Sequence, residues 1–138
     1  MPIVFDQQHN TFKLDTPTSS YIIKIYKEGY LLNLYYGAPI PDSCIAGREI
    51  RWPSASFSLA NPAIGENGFT PDTAPMEYGC NGAADFRTSA LAVRNANGDS
   101  VTDIRYTGHR IYAGKPAIPG MPSCYAAENE AETLEIYA

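Results

Sequence analysis

Residues 89–112 read SALAVRNANGDSVTDIRYTGHRIY, and the fold turns on how this stretch is read. Leu91 and Val93 alternate with Ala92 and Arg94, the two-residue period of a half-buried strand. Asn95, Asn97, Gly98 and Asp99 then interrupt the pattern. Asn, Asp and Gly tolerate positive φ, so the stretch predicts a reversal between two antiparallel strands. The chain resumes over 101–107, with Ile104 and Tyr106 on one face and Asp103 and Arg105 on the other. A long hairpin with one wet face needs a second sheet over its dry face. The expected architecture is therefore an all-β sandwich of antiparallel strands.

The flanking sequence supplies partners for that hairpin. Short strands are expected at 3–5, 12–14, 21–26, 30–36, 123–127 and 133–137. Tyr21, Ile23 and Ile25 form one continuous apolar face, and residues 27–29 turn the chain into its hairpin partner. Near the end, Leu134 and Ile136 face inward. Between residues 42 and 84 the period fades, and Pro53, Pro62, Gly65, Gly68, Pro71 and Pro75 break the backbone repeatedly. Connections in compact domains usually run about 2–6 residues, so this is one long irregular loop of the functional or interfacial kind. Trp52 and Phe57 lie inside it, and rings of that size need something to cover them.

Composition narrows the class. A chain of 138 residues is one domain, 1–138, large enough to build a core without disulfides. Eleven Gly, eleven Pro and ten Tyr favour strands and turns, and no window shows helical periodicity. The net charge is −5 and the ten basic residues are dispersed, which speaks against a phosphate-binding face and hence against nucleic acid. No apolar run approaches the roughly 20 residues that span a bilayer. The first residues lack the basic-then-apolar pattern of a secretory leader. Cys44, Cys80 and Cys124 are odd in number, widely spaced and without a Cys-x-x-Cys pair. They read as reduced side chains of a cytoplasmic protein, with no zinc or other metal site. An alternating strand that runs to Tyr137, one residue before Ala138, reads as a domain cut from a longer polypeptide.

Glu77 and Asp85 are two carboxylates in one region, but an acid/base pair needs a deep pocket that desolvates one carboxyl and raises its pKa, and a sandwich of this size offers no obvious one. The structural reading is that Glu77 accepts hydrogen bonds from a loop and Asp85 pairs with Arg87 or Arg105. His109 has only His9 as a second histidine, far off in sequence, so a hydrogen-bonded structural role is expected rather than a ligand or base. Tyr26, Tyr30, Tyr35, Tyr36, Tyr106 and Tyr112 suit ordinary sheet positions with a buried ring and a polar tip. Residues 65–68 (GENG) lack the lysine and flanking elements of a phosphate loop.

Several separated motifs agree in order and spacing: residues 76–79 (MEYG), 85–87 (DFR), 102–106 (TDIRY), 109–116 (HRIYAGKP) and 130–136 (EAETLEI), with Tyr30, Leu31 and 35–37 (YYG) before them. On these the chain resembles the N-terminal domain of bacterial α-galactosidases of glycoside hydrolase family 36. The resemblance implies a β-supersandwich that precedes a (β/α)₈ catalytic barrel. It implies a parent enzyme that hydrolyses terminal α-galactosides such as melibiose and raffinose with retention, without a cofactor. The two catalytic aspartates of the family lie on the barrel, so no catalytic residue is expected here and this domain alone is not an enzyme. The implied partners are the barrel of the same chain and, in a homo-oligomer (tetrameric in similar proteins), a neighbouring subunit's active site. In such proteins a loop of this domain brings an acidic residue and an arginine toward the sugar. The nearest positions here are Ser54 and Asn67, and Trp52 is placed to stack on a sugar face. The face carrying Asp103 and Arg105, with Arg87 and Arg110 near, is either a solvated salt-bridge array of little energetic worth or a docking face for the barrel.

Overall fold

The computed structural model describes residues 2–46, 70–82, 85–122 and 131–138. Four strands, β1 (Ile3–Asp6), β2 (Thr11–Asp15), β3 (Ser20–Ile25) and β4 (Leu31–Gly37), form an antiparallel sheet in the order β1-β2-β3-β4. A second antiparallel pair, β5 (Gly108–Ala113) and β6 (Glu132–Tyr137), makes a two-stranded sheet. Leu134 and Ile136 of β6, with Tyr106 just ahead of β5, pack on the buried Phe12, Ile23 and Leu31 of the first sheet. The expected all-β layering with antiparallel strands is therefore present, and the inward faces of 21–25 and 134–136 are those the alternation indicated.

The first sheet is buried on both faces. Phe12, Ile23 and Leu31 face the β5–β6 unit, while Ile22 and Leu32 are buried on the opposite side. There Leu32 joins Tyr30 and Ala74, with Met76 packed alongside. Two-sided burial explains why β3 and β4 carry consecutive apolar residues instead of a clean alternation. A register shift between Ile22 and Ile23 places Tyr35 and Asn33 opposite them, so Leu34 is the extra residue of a β-bulge. Lys13 shares the second face and keeps only 3% of its side chain exposed. Its ammonium meets Asp15 at 2.6 Å and Asp42 at 2.7 Å. Burial works against its charge, but the two carboxylates outweigh that and raise its pKa.

The central hairpin expected over 91–107 does not form a ladder. The reversal itself is there: the Asn95 N–H donates to Asp99, the Gly98 N–H donates to Asn95, and Gly98 sits at φ +90°. The flanks, however, bond elsewhere. The Ala90 N–H donates to Gly79, the Thr102 N–H donates to Asn81, and Leu91 bridges Cys80 in parallel. With those backbone groups engaged by 79–82, the two flanks do not pair with one another. Leu91 and Val101 are exposed accordingly. The strand begins later, at Gly108, and its partner is β6 rather than 91–93. The strand expected at 123–127 and most of the long loop lie outside the described residues.

Candidate functional site

Trp52, Ser54 and Asn67, the positions singled out for sugar contact, lie outside the described residues, as does Cys124. What the structure places is the ground on which that loop stands, from Asp42 to Ile45 at one end and from Thr70 onward at the other.

The far end of the loop is anchored by arginine. Pro71–Thr73 is a single 3₁₀ turn with a capping box between Thr70 and Thr73. Arg87 grips it: one terminal nitrogen donates to the Ala74 carbonyl at 2.9 Å and the other to Pro71 at 2.7 Å. The same guanidinium holds Asp85 in a two-pronged pair, Nε at 2.9 Å and a terminal nitrogen at 2.8 Å. Arg87 beside Asp85 holds its carboxyl below the ordinary carboxylate value, although burial opposes this. Of the two partners expected for Asp85, the structure selects Arg87.

Arg105 does a parallel job at the β3–β4 turn. Its Nε meets Asp103 at 2.8 Å, and its terminal nitrogens donate to the Glu28 carbonyl at 2.9 Å and the Tyr30 hydroxyl at 2.6 Å. Its guanidinium carbon lies 3.6 Å from the Tyr30 ring centroid. Gly29 at this turn needs φ +80°, and a Cβ there would meet the Tyr106 carbonyl oxygen at 3.1 Å. Arg110 instead pairs with Glu135 across β5–β6, at 2.9 Å on the surface. Asp103 and Arg105 pair with each other, whereas Arg87 and Arg110, expected near them, pair elsewhere, with Asp85 and Glu135.

Glu77 is bound by side chains of the sheet rather than by a loop. Tyr21 donates its hydroxyl to one carboxylate oxygen, and Asn33 donates to the other at 3.2 Å and to the Tyr21 oxygen at 2.9 Å. Burial, then the Glu77 hydrogen bond, pushes the Tyr21 phenol up to about 12. His109 is hydrogen-bonded to the Tyr106 hydroxyl at 2.7 Å and packed against the rings of Phe5 and Phe12, at 4.4 and 4.8 Å. That is the structural histidine the sequence implied. Among the described residues no three His, Cys, Asp or Glu side chains gather around a common point, and no helix is long and apolar enough to cross a membrane.

The described residues define an all-β domain in which charged side chains tie one segment to another. The family it belongs to follows from comparison with known proteins. The model of the glycosyl hydrolase family 36 N-terminal domain matches residues 29–138. The chain is 39% identical to the α-galactosidase AgaA of Geobacillus stearothermophilus, over 99% of its own length and 18% of that protein's. The crystal structure of the α-galactosidase AgaB of the same organism superposes with a TM-score of 0.83 at 38% identity, covering 99% of this chain and 18% of the other. A variant of AgaA solved in complex with raffinose gives a TM-score of 0.74 at 37% identity, covering 91% and 17%. The chain belongs to the N-terminal domain family of glycoside hydrolase family 36. It spans about a fifth of the length of the relatives it matches.

Proposed function

We propose that this chain is the non-catalytic N-terminal part of a longer α-galactosidase that cleaves terminal α-galactosides such as melibiose and raffinose. The observation that carries the reading is the alignment of nearly the whole chain with only 18% of AgaA, at 39% identity. The chemistry of the described residues supports the same division of labour. Retaining hydrolysis needs two free carboxyl groups about 5–5.5 Å apart flanking the bond to be broken. Here the Asp85 carboxylate is committed to Arg87, and both oxygens of Glu77 are committed to Tyr21 and Asn33. The catalytic carboxylates belong on the barrel that follows.

In this reading the domain packs on the barrel of its own chain, supports a homo-oligomer, and sends residues 42–84 toward a neighbouring subunit's pocket. There Trp52 stacks on a sugar face while Ser54 and Asn67 shape the rim. Such a loop adjusts specificity without taking part in bond cleavage. The enzyme works in the cytoplasm, in keeping with free Cys44 and Cys80.

The test is Trp52→Ala in the full-length polypeptide, assayed on melibiose and raffinose with the oligomer followed by sedimentation. Loss of one ring stack raises KM roughly tenfold, equivalent to about 1.4 kcal/mol, with the assembly and kcat retained. An unchanged KM with the assembly intact contradicts the loop's role. A full-length chain inactive on every α-galactoside contradicts the parent activity.

A further inference from the structure

Both described ends of the 42–84 stretch meet a cation, Lys13 of β2 at the departure and Arg87 at the return. At the departure, the Lys13 ammonium donates to Asp42 at 2.7 Å and to Asp15 at 2.6 Å, on a side chain only 3% exposed. Asp15 also accepts from the Ser20 hydroxyl, which in turn accepts from the Ile40 N–H at 3.1 Å. Asp42 opens a 3₁₀ turn, Asp42–Cys44, and the Ile45 amide donates back to the Asp42 carbonyl. We propose that Lys13 is a positioning residue for substrate specificity. Through Asp42 it fixes the direction in which the loop departs, and so how the loop meets the neighbouring subunit's pocket. The inference rests on the reading that this loop borders that pocket.

Three observations carry it. A buried ammonium is a costly way to fill a sheet position, because an apolar side chain of similar volume fills it without desolvating a charge. Replacing buried ion pairs by such residues is often neutral or stabilising, so what the lysine adds is a fixed point rather than stability. Next, Asp15 lies two residues along the same strand and already supplies a counter-charge. The Asp42 carboxylate is 69% exposed and is well solvated without Lys13. Its contact with the ammonium gives up side-chain freedom at the first residue of the turn, which sets a position. Finally, the return is held several times over. Arg87 takes the Pro71 and Ala74 carbonyls, Thr70 and Thr73 form a capping box, the Asn33 N–H donates to Pro75, and the Glu77 N–H donates to Leu31. With the return fixed, the angle of departure is the adjustable quantity, and the Lys13–Asp42 pair ties the departing turn to β2.

The experiment uses the full-length polypeptide with Asp42→Ala, Lys13→Met, the two combined, and Asp42→Glu. Asp42→Ala removes an exposed group and leaves Lys13 paired with Asp15, so it tests the contact even where Lys13→Met does not fold. Each folded single variant raises KM for raffinose about 3–10-fold with kcat and the oligomer retained, the range for a residue that acts through another. The double variant raises KM no further than the single ones, and Asp42→Glu restores part of the loss. Amide exchange at 42–45, read by peptide mass spectrometry, quickens by about tenfold or more in Asp42→Ala while β5 and β6 stay unchanged, because the turn opens locally. Unchanged exchange at 42–45 overturns the proposal, and so do additive effects in the double variant. Quickened exchange in a chain inactive on every α-galactoside sinks the functional reading and leaves the clamp standing. An active chain whose KM responds to Trp52→Ala but not to Asp42→Ala does the reverse.

Discussion

Replacing Arg87 with Ala removes the most connected anchor of the described structure, and its cost can be worked from the contacts. Asp85 keeps only 3% of its side chain exposed, whereas Arg87 is 42% exposed. Removing one partner of a fully buried ion pair costs about 3–5 kcal/mol, because the remaining charge is stranded. Water can reach the vacated arginine position, so that figure is too high here. Hydrogen bonds to charged groups contribute about 1.5–3 kcal/mol each at best, and Arg87 also releases the Ala74 and Pro71 carbonyls. Discounted for exposure, Arg87→Ala should destabilise the chain by about 2–3 kcal/mol in urea unfolding at pH 7. The double variant Asp85→Asn/Arg87→Ala should cost less than the sum of the single changes by about 1 kcal/mol or more, since it strands no charge. The pH dependence has a defined sign. Arg87 depresses the folded pKa of Asp85, so the pair's contribution is present above the ordinary value of 3.8 and is lost as pH falls through the lower folded value. Without the Arg87 guanidinium, burial still raises the carboxyl and only the backbone N–H of residue 87 still lowers it, so its folded pKa moves up. The cost of Arg87→Ala should therefore shrink as pH falls toward 4. An additive double variant, or a penalty that grows on acidification, would refute the reasoning.

Three further outcomes follow from single contacts. Gly29→Ala forces a left-handed φ and sets a methyl group against the Tyr106 carbonyl, which should cost about 1–3 kcal/mol in the same unfolding assay; a neutral change would mean the turn is not held against residue 106. The Tyr21 phenol should ionise near 12, seen as a step in ultraviolet absorbance that is missing from Tyr21→Phe; a step near 10 would show that the Glu77 network does not form. Leu32→Ala empties a fully buried position beside Tyr30 and Ala74 and should cost about 2–5 kcal/mol, against a surface-like loss of under about 0.5 kcal/mol if that face were open.

The parts of this fold legible from sequence are those where a local period coincides with a buried face. Tyr21, Ile23 and Ile25 alternate and lie on one face of β3, and Leu134 and Ile136 do the same on β6. The 91–107 hairpin failed because alternation reports only that a residue could face a core, not which backbone will satisfy its amides. Residues 79–82 captured that backbone from a distance in sequence. Partner choice among charged groups was legible only at short range: Asp85 with Arg87 is two residues apart, whereas Glu77 with Tyr21 spans 56. Lys13 shows the same limit. It alternates with Phe12 and Leu14 as a solvent-facing lysine would, yet it is buried and meets Asp42, at the start of the long loop, at 2.7 Å.

The division between scaffold and catalyst is tested most directly by assaying melibiose hydrolysis with the 138-residue chain alone and with the full-length polypeptide in parallel. The account predicts no turnover by the short chain at any concentration and release of galactose by the long one. Galactose released by the short chain, or none released by the long one, would contradict it.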